Sequence, residues 1–599
     1  MKIGIEIHQR LDTTKLFCNC PSTLAGEIAK SESTLVRRLH PVLSELGEID
    51  EASQAEFAKD RSFEYHAFRN NCLVEADEEP PGLLSADALK IALQVALELN
   101  ATLVSEIHIM RKMVIDGSNT SGFQRTAIVA VNGHLDSSKG SIGIPMIAIE
   151  EESAGIVSSA EGKATYSLDR LGIPLIEICT APDIKDGAHL CEVAEKIGLM
   201  LRATGKVARG LGTIRQDVNI STDGGARVEL KGAQDLKMLP QYVENEVARQ
   251  LLLIKLLNEL RVRKALPVKE HLVVVSDIFS NSKGGIIGGG LKSGSVVLGQ
   301  RLNEHEGLLG MELQPGKRYG TELSDYAKKA GVKGIIHSDE ELDKYGISKE
   351  DEAALRKALG ALDNDAFVLI VAPLDQAKKA MGFVLERANM DYVPGETRRA
   401  NPDATSTFMR PLPGRARLYP ETDVPPIQIT KELVATVEKA ESLEDKKVKL
   451  EKMLNKEMAG RMLKSRHLHL FEKLVEAGAD PMLAATTLED TLVSLRREGI
   501  EFSDLEKALT EMFGEFQKGT FVKAAIPEVL KGMAKGARVD AVLKVYRLQK
   551  ISGQDLEAIA MEMDFDMKAI MQKYRLQVDA QEVATVIKEG KKEQGKDFI

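Results

Sequence analysis

The sequence predicts an α+β protein of several domains, with mixed α/β structure in front and helices behind. Three observations carry this reading. The chain has 599 residues, which at roughly 150 residues per domain suggests about four domains. Beyond residue 430 stand only two of its 20 prolines (Pro481, Pro527) and ten of its 48 glycines, so turns belong to the front. Period-two alternation recurs in the front. Behind it Leu433, Val437 and Ala440, and again Leu470, Leu474 and Val475, recur at helical spacing. The charged run 444–452 reads as a solvated helix face.

Composition narrows the class. Apolar residues make up 43% and charged residues 28%, the mixture of ordinary globular protein. No run of eighteen apolar residues predicts a membrane helix. Glu6 and Asp12 interrupt the start, so no export signal is expected. Five cysteines, a sparse and odd number, fit a reducing cytoplasm better than a disulfide framework. The net charge of −10 excludes a protein coated in basic surface, although a local patch can still meet a nucleic acid. Tryptophan is absent and aromatics are 4%, which disfavours base stacking as the main contact.

The first element is a strand over residues 2–9. Ile3, Ile5 and Ile7 face one way, and Gly4, Glu6 and His8 the other. Glu6 and His8 then stand about 7 Å apart on a polar face, within reach of one cation or substrate group. An edge strand with a solvated face is the plainer reading. Cys18 and Cys20 could open a zinc site, but no C-x-x-C follows and Cys72 stands alone, so structural or solvent-facing thiols are expected.

A second strand, residues 144–149, runs into Glu150, Glu151 and Glu152. Three adjacent carboxylates repel unless a cation sits among them, so either a solvated loop or a metal or basic substrate is expected. Residues 217–221 and 227–231 both alternate around Asp223-Gly224-Gly225. A three-residue turn pairs Ile220 with Val228 and Val218 with Leu230 on one face. The other face then carries Ser221 with Arg227, Asn219 with Glu229, and Asp217 with Lys231. That face offers oxygen ligands for a divalent cation and cations for phosphate oxygens, unless it merely faces water. Carboxylates on three strands beside Lys and Arg suit Mg²⁺ and a transferring phosphoryl group. His8 is softer than Mg²⁺ prefers and could act through water or on a proton.

Farther along, residues 280–295 (SNSKGGIIGGGLKSGS) read as a flexible glycine-rich connection. A phosphate-binding loop fails because Leu291, not glycine, precedes Lys292-Ser293. An α/β segment with a buried strand at 367–372 follows to about 395, then a proline-rich return at 410–426. His467 and His469, two apart, read as surface or cap residues. Between Lys523 and Lys550 stand seven basic residues against Glu528 and Asp540. Helical spacing at Lys531/Lys535 and Lys544/Arg547 gathers charge on one side, which suits a phosphate backbone or simply a soluble helix.

Six motifs in order resemble the B/E-subunit family of glutamyl-tRNA(Gln) amidotransferases. They are GIEIHQRLDTTKLFC (4–18), RKMVIDGSNTSGFQRT (111–126), IEEES (149–153), YSLDRLGIPLIEICTAPDI (166–184), RQDVNIS (215–221) and RVELKG (227–232). The DGSNTSGFQRT form and MRPLPGRARLYPETDVPPI (409–427) resemble the archaeal E branch in particular. Two departures stand out: the chain starts almost on its first strand, and the second cysteine pair of many bacterial B subunits is missing. The missing pair counts against zinc and favours the E branch.

The resemblance implies a mixed-sheet catalytic cradle over 1–279, to which 396–430 return. It also implies an insertion over 280–395 like that of bacterial-type aspartyl-tRNA synthetases, a helical domain over 431–529 and a helical tRNA-binding tail over 530–599. The implied reaction is ATP-dependent conversion of Glu-tRNA(Gln) to Gln-tRNA(Gln) with Mg²⁺. Ammonia would come from an asparaginase-like D subunit in a heterotetramer of two D and two E subunits, in the cytoplasm. Glu6, His8, Glu150 or Glu151, and Glu229 match the family's metal-binding positions. Arg111, Lys112, Asp217, Asn219, Arg227 and Lys231 are candidates for phosphate or substrate contacts. Lys531, Lys535, Arg538, Lys544, Arg547 and Lys550 are candidates for gripping tRNA. The alternatives are a B subunit of a bacterial-type enzyme and a tRNA-binding scaffold without catalysis.

Overall fold

Alternation along strand β1 (Lys2–Arg10) buries Ile3, Ile5 and Ile7 almost completely and turns Gly4, Glu6 and His8 to the opposite face. The strand runs through the middle of an eleven-stranded sheet rather than along an edge. Its partners, in chain order, are β2 (Met110–Met113), β3 (Phe123–Ser137), β4 (Gly140–Glu151), β5 (Pro174–Cys179), β6 (Ile214–Ser221), β7 (Val228–Lys231), β8 (Glu396–Ala400), β9 (Ser406–Pro411) and β10 (Leu418–Pro420). They lie in the order β9-β8-β7-β6-β1-β5-β4-β3-β2-β10, and a two-residue strand, Thr102–Leu103, adds to β3. All neighbours along this path are antiparallel except β7 with β8.

The computed structural model describes the chain apart from residues 25–29, 44–46, 161, 281–284, 438–442, 503 and 595–599. The chain forms two units, 1–440 and 441–599. Among the described residues no helix is long and apolar enough to cross a membrane.

The β6–β7 hairpin has the register its alternation predicts, with Val218 opposite Leu230, Asn219 opposite Glu229 and Ile220 opposite Val228. Gly224 supplies the left-handed turn position at φ +78°. The ladder is one pair shorter than expected at each end, without Ser221–Arg227 and Asp217–Lys231, although Lys231 Nζ still reaches Asp217 Oδ2 at 2.9 Å. Ser221 pairs with Lys2 of β1 on its other side, and Arg227 lies just outside β7.

Residues 253–393 supply a second core, around a four-stranded sheet that includes Val296–Leu302 and Ala366–Ala372. Val273–Val274 already pairs in that sheet, and Leu253, Leu256 and Leu257 pack into the same core. The inserted layer thus begins before the glycine-rich stretch. That stretch is no loose connection where it is described, because Gly285–Lys292 is a helix. Its Ile287 is fully buried, and a Cβ on Gly290 would lie 2.4 Å from Val371 Cγ1, so glycine serves close packing there. Residues 281–284 and Ala440 lie outside the described residues.

In the second unit, helices follow one another throughout. Leu443–Met453 shows the expected solvated face around buried Leu450, and His467 is the N-cap of Leu468–Glu476. One core runs from Leu450 to Leu548 and another from Leu556 to Val583. Leu530, Val539 and Leu543 belong to the first, so the break falls near residue 550 and not at 529/530.

Candidate active site

Cross-strand register assembles the site before any side chain is considered. Thr397, Glu229, Asn219 and Gly4 stand in one row across β8, β7, β6 and β1. Asp217, Glu6 and Cys179 form the next row, and Arg215, His8 and Glu177 the third. Directly opposed residues share a face, so these rows give one polar surface. It floors a cavity of about 740 Å³ also lined by Lys112, Glu150, Arg227, Lys231, Arg410 and Arg417.

Five carboxylates on strands of the main sheet converge there, Glu6, Glu150, Glu177, Asp217 and Glu229, and Glu56 and Asp116 also line the cavity. Ligand atoms of Glu6, Asp217 and Glu229 lie within 4.8 Å of one another, as do those of His8, Glu150 and Glu177. Two lysines hold the groups apart. Lys231 Nζ lies 2.9 Å from Asp217 Oδ2 and 3.0 Å from Glu229 Oε1. Lys112 Nζ lies 2.9 Å from Glu150 Oε2 and 3.6 Å from Glu177 Oε2. His8 Nε2 stands 3.4 Å from Glu150 Oε1, and Asn219 Nδ2 donates to Glu6 Oε1 at 3.0 Å.

The charges are unevenly compensated. Burial alone would raise Glu150, but Lys112 and His8 beside it hold the carboxyl at about 2. Burial likewise opposes, and Lys231 outweighs it, so that Asp217 and Glu229 both fall below the usual carboxylate range. Glu6 goes the other way: burial, then Glu177 and Glu229, raise it. Excess negative charge on the floor fits divalent cations with hard oxygen ligands. Arg410 and Arg417, which also line the cavity, have no carboxylate partner within ion-pair distance among the described residues. Burial and the Arg410 charge lower Arg417.

Of the sequence-predicted residues, Glu6, His8, Glu150, Glu229, Lys112, Asp217, Asn219, Arg227 and Lys231 share this cavity. Glu151 and Arg111 do not. Each is one position from a cavity residue, and strand alternation turns it to the reverse face. There Arg111 Nη2 meets Glu421 at 2.5 Å, and Glu151 accepts from the Arg125 backbone at 3.0 Å. Glu150, Glu151 and Glu152 are all buried instead of forming a solvated loop, each with its own cation. Glu152 takes Arg10 at 2.7 Å and Arg215 at 2.5 Å.

Sequence reasoning missed Glu177, Thr397, Arg410 and Arg417. Glu177 had a signal: Leu175, Glu177 and Cys179 alternate in a strand otherwise read as a family motif. Thr397 Oγ1 donates to Glu229 Oε2, a contact across 168 residues that no local pattern reveals.

The basic end of the chain is less uniform than its composition. Lys531 pairs with Glu498 and Glu528, Lys550 with Glu582, and Arg538 lies 3.6 Å from Glu511. Lys535, Lys544 and Arg547 make no ion pair among the described residues. Lys535 lies beyond helix Ile526–Met533, and Arg547, at φ +51°, lies beyond Val539–Val545. The expected continuous helical spacing is therefore broken at both pairs.

A second cluster lies outside the cavity, where Cys18, Cys20, Cys72 and Glu75 bring their ligand atoms within 4.8 Å of one another.

Comparison with known proteins finds relatives over most of the chain. The family model described as the GatB/GatE catalytic domain matches residues 1–435, and one described as a GatB domain matches 469–580. The E-type subunit of the glutamyl-tRNA(Gln) amidotransferase of Methanocaldococcus jannaschii is 46% identical over 574 residues, 93% of this chain and 90% of that protein. Its namesake in Pyrococcus furiosus is 47% identical over 547 residues, 89% and 86% of the two chains. The one in Thermococcus gammatolerans is 43% identical over 615 aligned positions, covering 98% and 97%.

Proposed function

The chain belongs to the GatB/GatE family, and we propose that it is the subunit that amidates glutamate misattached to tRNA(Gln). A carboxylate is a poor electrophile. ATP therefore transfers its terminal phosphoryl group to the γ-carboxylate oxygen, giving an acyl phosphate and ADP. Ammonia then attacks the carbonyl, the bond to phosphate breaks, and Gln-tRNA(Gln) and phosphate leave. The observation that supports this reading best is the meeting of five carboxylates and two lysines on one sheet face, in a cavity shared with two arginines that have no carboxylate partner among the described residues.

Glu6, Asp217 and Glu229 on one side, and His8, Glu150 and Glu177 on the other, are the residues that would hold Mg²⁺. Bound there, Mg²⁺ would neutralise the phosphate oxygens and orient the transferring group. Lys112 and Lys231, whose ion pairs outweigh burial and raise them, stay cationic beside the phosphates. Arg410, Arg417 and Arg227, which line the cavity, draw a polyanion toward it. His8 Nε2 faces the carboxylates and is placed to orient a water or hold a proton.

The remaining assignments extend this reading. Ammonia comes from an asparaginase-like D subunit, in an assembly of two D and two E subunits in the cytoplasm. Residues 280–395 act as an insertion like that of bacterial-type aspartyl-tRNA synthetases and help select the tRNA. The helical tail grips the tRNA body. The test mixes the purified chain with Glu-tRNA(Gln), ATP, Mg²⁺ and ammonium, and follows phosphate release and Gln-tRNA without any partner. Both are expected, and both are expected to vanish in Glu229→Ala while tRNA binding persists. Unchanged turnover in that variant would remove the metal assignment.

A further inference from the structure

Beyond the two carboxylate triads the polar face of the main sheet changes sign. Arg10 continues the face of Glu6 and His8 along β1, and Arg215 stands opposite His8 on β6. Wholly buried Glu152 takes both: Arg10 Nε lies 2.7 Å from its Oε2 and Arg215 Nη2 2.5 Å from its Oε1. Arg170 Nε lies 3.7 Å from the same Oε1, and Arg170 also donates to the carbonyls of Ser153 and Ala154 at 3.0 and 3.1 Å. Three guanidiniums therefore share one carboxylate. Burial lowers Arg170, and the Arg215 and Arg10 charges add to this against the pull of Glu152 and Asp169.

Of these three arginines Arg215 lines the catalytic cavity, with its side chain 34% exposed. Apart from the bond to Glu152, its guanidinium makes no hydrogen bond among the described residues. Given the proposed amidation, on which this assignment rests, the geometry points to Arg215, held by Glu152, as the residue that binds the γ-carboxylate of the glutamate carried by the tRNA.

The placing of arginines along the cavity decides which anion goes where. Arg410 stands opposite Thr397, in the row of Asn219, whereas Arg215 is four residues from Asn219 along β6, roughly 13 Å away. Arg227 precedes Glu229 by two residues, and the Arg410 charge acts on Arg417. These three arginines have no carboxylate partner among the described residues, so their end of the cavity suits a polyphosphate. The other end offers one guanidinium in a fixed orientation, which suits a single carboxylate. Phosphoryl transfer needs the attacking oxygen and the departing ADP roughly in line, and the two ends supply that separation. A bond from Arg215 to one carboxylate oxygen leaves the other free to attack. The cationic excess behind Arg215 keeps the carboxylate ionised, and the amide of the product loses the charge-assisted bond.

The test measures binding of Glu-tRNA(Gln) and Gln-tRNA(Gln) to the full chain with Mg²⁺ and without ATP. Wild type should prefer the glutamyl form by about tenfold or more, and Arg215→Lys, which keeps the charge but loses the fork, should bind both alike. In the amidation assay Arg215→Lys should raise KM for Glu-tRNA(Gln) by about tenfold or more and leave KM for ATP within about twofold. Guanidinium added to Arg215→Ala should restore turnover, and methylammonium should not. Glu152→Gln should narrow the preference for the glutamyl form by freeing Arg215. A Glu152 that only supports the fold would instead lower Tm and leave the preference intact, which would remove it as the positioning residue. A raised KM for ATP with the glutamyl preference retained in Arg215→Lys would make Arg215 a polyphosphate contact and overturn the inference. Equal parameters for Arg215→Lys and wild type would overturn it as well. A wild type that makes no Gln-tRNA fails the proposed function, whereas normal amidation with an unaltered preference in Arg215→Lys fails this inference alone.

Discussion

Thr397 Oγ1 donates a 2.7 Å hydrogen bond to Glu229 Oε2, and the two residues stand opposite each other across the one parallel strand pair on the path of the main sheet. The neighbours of Thr397 point the other way. Glu396 and Arg398 are buried with Arg249, Glu322 and Arg387, a charge network reaching into the inserted layer. Strand β8 thus orients a candidate metal ligand with one face and anchors the insertion with the other.

Removing that hydroxyl should loosen Glu229 without emptying the cavity. A hydrogen bond to a charged group is worth about 1.5–3 kcal/mol, so Thr397→Val should raise the Mg²⁺ concentration for half-maximal amidation by roughly tenfold or more. Thr397→Ser should behave as wild type. Equal Mg²⁺ dependence in all three would mean that Glu229 is held by Lys231 alone.

Adjacent glutamates give a second prediction, because strand parity separates them. Glu150→Gln should reduce amidation at least a hundredfold with little change in Tm. Glu151→Gln should leave turnover largely intact and lower stability by about 1–3 kcal/mol, since it strips charge from a buried partner of Arg125. Kinetics and thermal melts on both proteins check this, and the reverse pattern would exchange their assignments.

What was legible in the sequence follows the same parity. The β6–β7 register could be read because apolar and polar residues alternate without exception, and only one turn length keeps them apart. Glu150 and Glu151 could not be separated, because the strand before them is apolar at successive positions and fixes no parity. Arg111 and Lys112 could not be separated either, because their short strand has one methionine at each end, Met110 and Met113, on opposite faces. Glycines at 285–290 read as looseness, whereas Gly290 admits Val371. Thr397 carries no local signal at all, because its partner Glu229 lies 168 residues away.

Charge on the helical end should divide into two sets. Lys535→Ala, Lys544→Ala and Arg547→Ala together should weaken tRNA binding and flatten its log–log salt slope by about two to three units. Replacing Lys531, Arg538 and Lys550, which already have carboxylate partners, should change the slope less and Tm more. Truncation belongs near residue 550, because a cut at 530 strips Leu530, Val539 and Leu543 from a packed core. Filter binding at several salt concentrations separates the sets, and equal slopes would return the contact to net charge alone.

Cation binding, pH and stability are linked through Glu6. A carboxyl raised on folding favours the folded state fully below its ordinary pKa of 4.5, and that advantage is lost as pH rises through the raised value. Above that raised value the deprotonated Glu6 therefore strains the fold, and a cation shared with Asp217 and Glu229 relieves it. Mg²⁺ should raise Tm more at pH 7 than at pH 5, with about 2.7 kcal/mol of stabilisation at a hundred times its Kd. Glu6→Gln should be more stable than wild type at pH 7 without Mg²⁺ and gain little from it. Glu150 has the opposite sign. Held at about 2, it contributes stability above 4.5 that disappears as pH falls toward 2, and Lys112→Met should abolish that acid limb. Thermal melts across pH with and without Mg²⁺ read both limbs. A Mg²⁺ effect independent of pH, or undiminished in Glu6→Gln, would place the ion elsewhere than beside Glu6.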